Sequence, residues 1–319
     1  MNDYNPIIFL KKKKSRYFIN ELKQKKVSIY LKPQYDIALK VYTKMKLLLF
    51  SDLDGTFMNH DDYSFDSLKE YISKLKNNHL IIFNTSKTFP EVIKIKKSLN
   101  INFPFIIENG ACIFFPEDFK MKVFKNDNFF KHENYIGFPM TSKTFFWKKK
   151  IIEIRKIYNF KFKFYNEIDH EKLRKITQLK SEDVQDSKKR LFGEPVFWMD
   201  TKERLSKFNE EINSIGGKIN IGGRFIHITD GYNKGLAVKK FFDLVDFQNF
   251  GNYISVSLGD SQNDVSMLEI TDYSCIIKTQ KKKKLDLKKK KKLYHSNDIA
   301  PNGWKESINF IINKEKINF

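Results

Sequence analysis

Three short polar clusters hold most of the chemistry-bearing residues of this 319-residue chain: Ser51-Asp52-Leu53-Asp54-Gly55-Thr56, Thr85-Ser86-Lys87-Thr88 and Gly259-Asp260-Ser261-Gln262-Asn263-Asp264. Asp52, Asp54, Asp260 and Asp264 contribute four carboxylates to them, with hydroxyls and a lysine alongside. Carboxylates gathered in one place repel unless a cation bridges them. An all-oxygen donor set points to a hard ion, Mg²⁺ rather than zinc. Lys234, just before a predicted helix, adds a compact positive charge suited to a phosphate.

Each cluster has a plainer reading when taken alone. Asp52-x-Asp54-Gly55 resembles the start of a calcium loop, but position six is Phe57 and position twelve is Tyr63, where that loop needs Gly and Glu. Ser86 alone reads as a turn or capping residue, and Lys234 is one lysine among very many. Asp260 to Asp264 alone reads as a strand-to-helix turn with a capping carboxylate. Other chemistries lack their residues. The six histidines form no HExxH pair, and Gly217 to Gly223 lacks the Lys-Ser/Thr of a nucleotide loop. Neither cysteine has a partner motif.

The elements flanking the clusters give them a common place. Leu47–Phe50, Leu80–Phe83 and Phe105–Ile107 are short apolar runs that read as buried strands, and Tyr253–Leu258 reads as a further strand. Asp66–Lys76, a segment opened by Pro90, Lys234–Val245 and Val265–Ile270 read as helices. Strand and helix alternate, so the expected class is α/β with a parallel sheet. Ligands of such sheets sit beyond the carboxyl ends of the strands, where all three clusters fall. Residues 121–228 lose this rhythm, and an inserted domain is expected there. The division is then a basic extension (1–44), a discontinuous core (45–120 and 229–319) and the insertion (121–228).

The formal charge is +21, from 59 Lys+Arg against 38 Asp+Glu, but it is unevenly spread. Residues 1–46 and the lysine-rich stretch 278–292 each carry +9. A nucleic-acid-associated protein using those runs is the competing class. No recognition motif accompanies them, and a nucleic-acid partner is not expected. The stretch 278–292 is expected to be an exposed loop or frayed helix, because its ten lysines resist burial. No apolar run approaches the roughly 18 residues of a membrane span. With two cysteines and no secretory pattern, a cytoplasmic protein is expected, with no membrane partner. Residues 1–44 are expected to be dispensable for catalysis.

Taken in order, Asp52-Leu53-Asp54-Gly55-Thr56, Ser86, Lys234 and Gly259-Asp260-Ser261-x-Asn263-Asp264 resemble the four motifs of the haloacid dehalogenase-like phosphatases. The resemblance spans roughly 45–319. Thr85-Ser86-Lys87-Thr88, Glu108-Asn109-Gly110, Glu194-Pro195, Gly222-Gly223-Arg224-Phe225-Ile226-His227 and Ala300-Pro301-Asn302-Gly303-Trp304 narrow it to the mannosyl-3-phosphoglycerate phosphatases. That resemblance implies a Rossmann-like core with an inserted α+β cap. It also implies Mg²⁺-dependent hydrolysis of a phosphorylated glycosyl-glycerate, most simply the mannosyl form; glucosyl-3-phosphoglycerate and sucrose 6-phosphate are the alternatives.

In that frame Asp52 is the expected nucleophile and Asp54 the acid–base. Ser86 and Lys234 are expected at the phosphate. Asp52, Asp54 through its carbonyl, Asp260 and Asp264 are expected at the metal, with Asn263 behind them. Lys87, Glu108, Asn109, Arg190 and Arg224 are the candidates for substrate contact, the arginines because the substrate has a carboxylate.

Overall fold

The computed structural model describes residues 45–122, 128–141, 144–221, 225–247, 250–280, 285–288 and 292–317, together with three strands nearer the N-terminus. Two compact units divide the chain at the change of character near Met45. In the first unit, Ile7–Phe9 (β1), Ser28–Lys32 (β2) and Tyr35–Lys40 (β3) form an antiparallel sheet in the order β1-β3-β2.

The second unit, Lys46–Ile317, carries all the remaining described elements. Lys46–Ser51 (β4) leads through a single 3-10 turn to Lys69–Leu75 (α1), then Leu80–Asn84 (β5), Phe89–Leu99 (α2) and Phe105–Ile107 (β6). Antiparallel strands follow: Cys112–Pro116 (β7), Phe130–His132 (β8) and Tyr135–Pro139 (β9). Next come Thr144–Tyr158 (α3), Phe162–Phe164 (β10), His170–Thr177 (α4), Ser181–Lys188 (α5), Val196–Trp198 (β11), Lys202–Ser214 (α6), Lys218–Ile221 (β12) and Ile226–Thr229 (β13). Lys234–Leu244 (α7), Tyr253–Gly259 (β14), Val265–Leu268 (α8), Tyr273–Lys278 (β15), Leu293–Ile299 (β16) and Asn302–Lys314 (α9) complete the unit.

A nine-stranded sheet runs in the order β16-β15-β14-β4-β5-β6-β7-β9-β8, with its first six strands parallel. Leu47 through Phe50 have no exposed surface, as expected for a central strand covered on both faces. Each such side chain contributes roughly 1.5–3 kcal/mol of burial. The crossover helices bring their own punctuation. Helix α2 starts where the Thr88 N–H donates to Glu91 Oε2 (2.9 Å), with Pro90 in its first turn, and ends at Asn100 in the left-handed region.

A second, four-stranded sheet has the antiparallel order β10-β11-β13-β12. Trp147 and Ile151 of α3 and Phe208 and Ile212 of α6 pack on Phe162, Val196, Ile226 and Ile228 to form a separate core. This is the cap, and its start differs from the expectation. Residues 130–139 pair into the large sheet through Tyr135–Pro139 on Cys112–Pro116, so the sheet-level insertion begins after Pro139 and not at 121. The residues of 130–139 do not themselves choose a sheet; pairing with β7 decides it. Of the lysine-rich stretch, Lys281–Lys284 and Lys289–Lys291 lie outside the described residues, while Leu285–Lys288 has neither helix nor strand.

Candidate active site

Parallel pairing continues one step past β4, where the Asp52 N–H donates to the Leu258 carbonyl (3.0 Å). That bond sets the Asp52 side chain beside the loop leaving β14. Behind it, the Trp304 indole N–H donates to Ser51 Oγ (2.9 Å), and the Ser51 hydroxyl donates to the Asp52 carbonyl (2.7 Å). The chain then turns tightly, with Gly55 at φ +79°. A Cβ on Gly55 would come within 2.8 Å of Asp260 Oδ2, so only glycine lets the two loops close on each other. The Thr56 hydroxyl completes the contact by donating to Asp260 Oδ1 (3.1 Å).

Helix α7 supplies the cation. Its cap is Asn233, whose Oδ1 accepts from the Leu236 N–H (2.9 Å), and Lys234 is the first helical residue. The Lys234 side chain is fully buried, and its Nζ lies 2.6 Å from Asp52 Oδ1 and 2.7 Å from Asp264 Oδ1. The other Asp264 oxygen accepts from the backbone N–H groups of Asp260 (3.1 Å) and Ser261 (3.0 Å). Burial pushes the Asp52 carboxyl well above its usual range; Lys234 opposes this, while Asp264, Asp260 and Asp54 add to it. Burial and then Asp264 push Asp260 to about 7. For Lys234 burial works against the charge, but Asp264 and Asp52 outweigh it and hold the ammonium protonated.

A second ion pair sits beside the first. Lys87 is buried, and its Nζ is 3.0 Å from Asp54 Oδ1 and 3.5 Å from Glu91 Oε1. The Tyr63 ring lies under the same ammonium at 5.0 Å. Lys87 therefore holds Asp54, a use the sequence did not suggest when Lys87 was read as a substrate contact. The remaining candidates fall around the rim. Ser86 is half-buried, and its carbonyl accepts from Arg190 Nη2 (2.9 Å). Asn263 Nδ2 donates to Asn109 Oδ1 (3.1 Å), joining the third cluster to the loop after β6.

Glu108 differs from its expectation as a substrate contact. Its carboxylate is buried and accepts from the backbone N–H groups of Leu191 (2.7 Å), Phe192 (3.2 Å) and Gly193 (2.6 Å) in the cap. Arg224, Gly222 and Gly223 lie outside the described residues. Sequence reasoning missed Thr56, Glu91 and Tyr63 as site residues. Thr56 sat inside a motif already singled out; Glu91 had only the capping-box spacing Thr88-x-x-Glu91 as a signal.

Comparison with known proteins identifies the family. A model of the haloacid dehalogenase-like hydrolase family matches residues 49–314. A Persephonella marina protein named glucosyl-3-phosphoglycerate/mannosyl-3-phosphoglycerate phosphatase is 34% identical, over 84% of this chain and 98% of its own length. The chain belongs to this phosphatase family, within the haloacid dehalogenase-like hydrolases. A Methanococcoides burtonii relative of the same name is 31% identical over 85% of this chain and 98% of its own. The fold agrees with a crystal structure from Thermotoga maritima, at a TM-score of 0.57, 18% identity, and coverage of 85% of this chain and 97% of that one. The chain is thus a phosphoric monoester hydrolase, built as a Rossmann-like core with an inserted α+β cap.

Phosphatases of this family generally work with a divalent metal ion, and the donor set here fits one. Asp52, Asp260 and Asp264 offer carboxylate oxygens that all lie within 4.8 Å of one another. Their burial and mutual repulsion, felt in the raised Asp52 and Asp260, is the electrostatic cost that a divalent cation removes. Among the described residues no helix is long and apolar enough to cross a membrane.

Proposed function

We propose that this phosphatase hydrolyses a glycosyl-3-phosphoglycerate, mannosyl or glucosyl, through an aspartyl-phosphate on Asp52, with Mg²⁺ as its ion. The observation that carries the reading is the Asp52–Lys234–Asp264 chain with Asp260 beside it, in a protein whose relatives' names carry this substrate.

Asp52 Oδ attacks phosphorus as the bond to the glycerate oxygen breaks. Asp54 gives that oxygen its proton. In the second half a water attacks the phosphorus of the acyl phosphate, Asp54 takes the water's proton, and Asp52 leaves as carboxylate. Asp52, Asp260, Asp264 and the Asp54 carbonyl would hold the cation, which would supply the positive charge that lets an anionic nucleophile meet an anionic phosphate. Lys234 opposes the burial that raises the Asp52 carboxyl and, with the Ser86 hydroxyl, faces the equatorial phosphate oxygens, where transition-state charge spreads. Lys87 orients Asp54 through its 3.0 Å contact. Arg190 and Arg224 are the cations assigned to the glycerate carboxylate, with Asn109 and Asn263 at the rim.

Phosphate release from both glycosyl-3-phosphoglycerates, with and without Mg²⁺, tests the reading. Turnover of neither, by an enzyme that still hydrolyses p-nitrophenyl phosphate, would refute the substrate and leave the family membership intact.

A further inference from the structure

Glu108 is only 2% exposed, and its carboxylate is bonded to the cap. Three successive cap amides, those of Leu191, Phe192 and Gly193, converge on its two oxygens at 2.6–3.2 Å. Successive amides that point inward form a concave anion site. Bonds from such amides to a charged carboxylate are roughly twice as strong as neutral ones. The residue leading into this strap is Arg190. Its Nη2 donates to the Ser86 carbonyl at 2.9 Å, and its Nε lies 3.6 Å from Glu108 Oε2 without a hydrogen bond. The Arg190 side chain is 8% exposed, so the guanidinium is a buried cation with a donor left unused next to the phosphate-site loop. Gly193 permits the closeness: a Cβ there would stand 3.2 Å from Glu108 Oε2.

We propose that Glu108 is a positioning residue: by filling the amide strap 191–193 it seats Arg190 on the Ser86 loop, where the guanidinium receives the substrate's carboxylate. This rests on the glycosyl-3-phosphoglycerate reading for the identity of the anion. Glu108 itself touches no substrate. Its glutamate is required for the charge and the reach: glutamine offers one oxygen and opposes an NH₂ to amide donors, and aspartate is a methylene short.

The test compares full-length wild type, Glu108→Gln, Glu108→Ala, Gly193→Ala and Arg190→Ala on mannosyl-3-phosphoglycerate and on p-nitrophenyl phosphate, which has no carboxylate. The expected result for the Glu108 and Gly193 variants is a rise in KM of tenfold or more for the glyceryl substrate, kcat within threefold, and kcat/KM on p-nitrophenyl phosphate within threefold; Arg190→Ala is expected to raise KM for the glyceryl substrate at least as much. Glu108→Ala added to Arg190→Ala should raise KM no further. Hydrogen exchange at the amides of residues 191–193 should accelerate at least tenfold in Glu108→Ala, a readout independent of substrate. Equal losses on both substrates, additive KM effects, or unchanged exchange would each overturn the proposal. Gly193→Ala perturbs the same contact from the cap side, so a poorly folding Glu108 variant does not remove the test. Wild type that cleaves only p-nitrophenyl phosphate would instead overturn the substrate reading, with the exchange result still deciding whether Glu108 holds the strap.

Discussion

Lys234 Nζ sits 2.6 Å from Asp52 Oδ1, and the same ammonium sits 2.7 Å from Asp264 Oδ1, 30 residues further along the chain. One buried cation therefore joins the ends of β4, α7 and β14. Removing it leaves two buried carboxylates without their counter-charge, which costs roughly 3–5 kcal/mol when a buried pair is broken. Lys234→Met is expected to lose activity by about 10³-fold and to lower the melting temperature in the absence of divalent cation. Part of that loss in stability should return with added Mg²⁺. A variant of wild-type activity would separate Lys234 from the phosphate.

Gly55 tests the closeness of the first and third clusters. With φ at +79° and Asp260 Oδ2 within 2.8 Å of where a Cβ would stand, Gly55→Ala must strain the turn or push Asp260 away. Weaker divalent-cation binding, by roughly tenfold or more, is the expected outcome, measured by titration of the cation against activity and by calorimetry. Unchanged affinity would mean that Asp260 is not held by this contact.

Trp304 belongs to the Pro301-Asn302-Gly303-Trp304 run and reaches the site indirectly. Its indole donates to Ser51, whose hydroxyl donates to the Asp52 carbonyl. Trp304→Phe keeps the ring that packs edge-on against Phe57 and removes the donor. The expected cost is about 1 kcal/mol of stability with a several-fold fall in kcat, read by urea denaturation and steady-state kinetics. A variant losing stability alone would confine Trp304 to the core.

Lys96 gives a pH-dependent prediction far from the chemistry. It is 2% exposed, donates to the Phe103 carbonyl (2.5 Å), and lies over the rings of Phe105 and Tyr135; burial pulls its ammonium down to about 7. The unfolded chain keeps this amine protonated to about 10.5. Between those values the unfolded state binds more protons, so stability rises with pH through the window, and the burial cost is fully present below it. Lys96→Met is expected to stabilise the protein by roughly 2–4 kcal/mol at pH 7, a gain that shrinks towards pH 10. A gain independent of pH would show that the lysine is not a buried charge.

The strands that carry the site were legible because they are mostly buried and rich in apolar residues: Phe105–Ile107 is observed as expected, and Tyr253–Leu258, despite two serines, gains only Gly259. Lys234 and the three carboxylates of the cluster were legible because their spacing places them at strand and helix ends. What the sequence withheld are relationships that depend on how distant loops meet. Glu108 reads as a cleft residue until the cap amides are seen on it, and Lys87 reads as a substrate contact until Asp54 and Glu91 are found beside it. The start of the insertion at the level of the sheet was not legible because nothing in the pattern of 130–139 says which sheet it joins; only the pairing with β7 does.

The central claim is that Asp52 is the nucleophile of a glycosyl-3-phosphoglycerate phosphatase, and one measurement addresses it most directly. Wild type and Asp52→Asn are assayed for phosphate release from mannosyl- and glucosyl-3-phosphoglycerate in the presence of Mg²⁺. Release by wild type from at least one of the two, reduced by about 10³-fold or more in Asp52→Asn, is the predicted result. Equal release by both proteins, or none from either substrate by wild type, would contradict it.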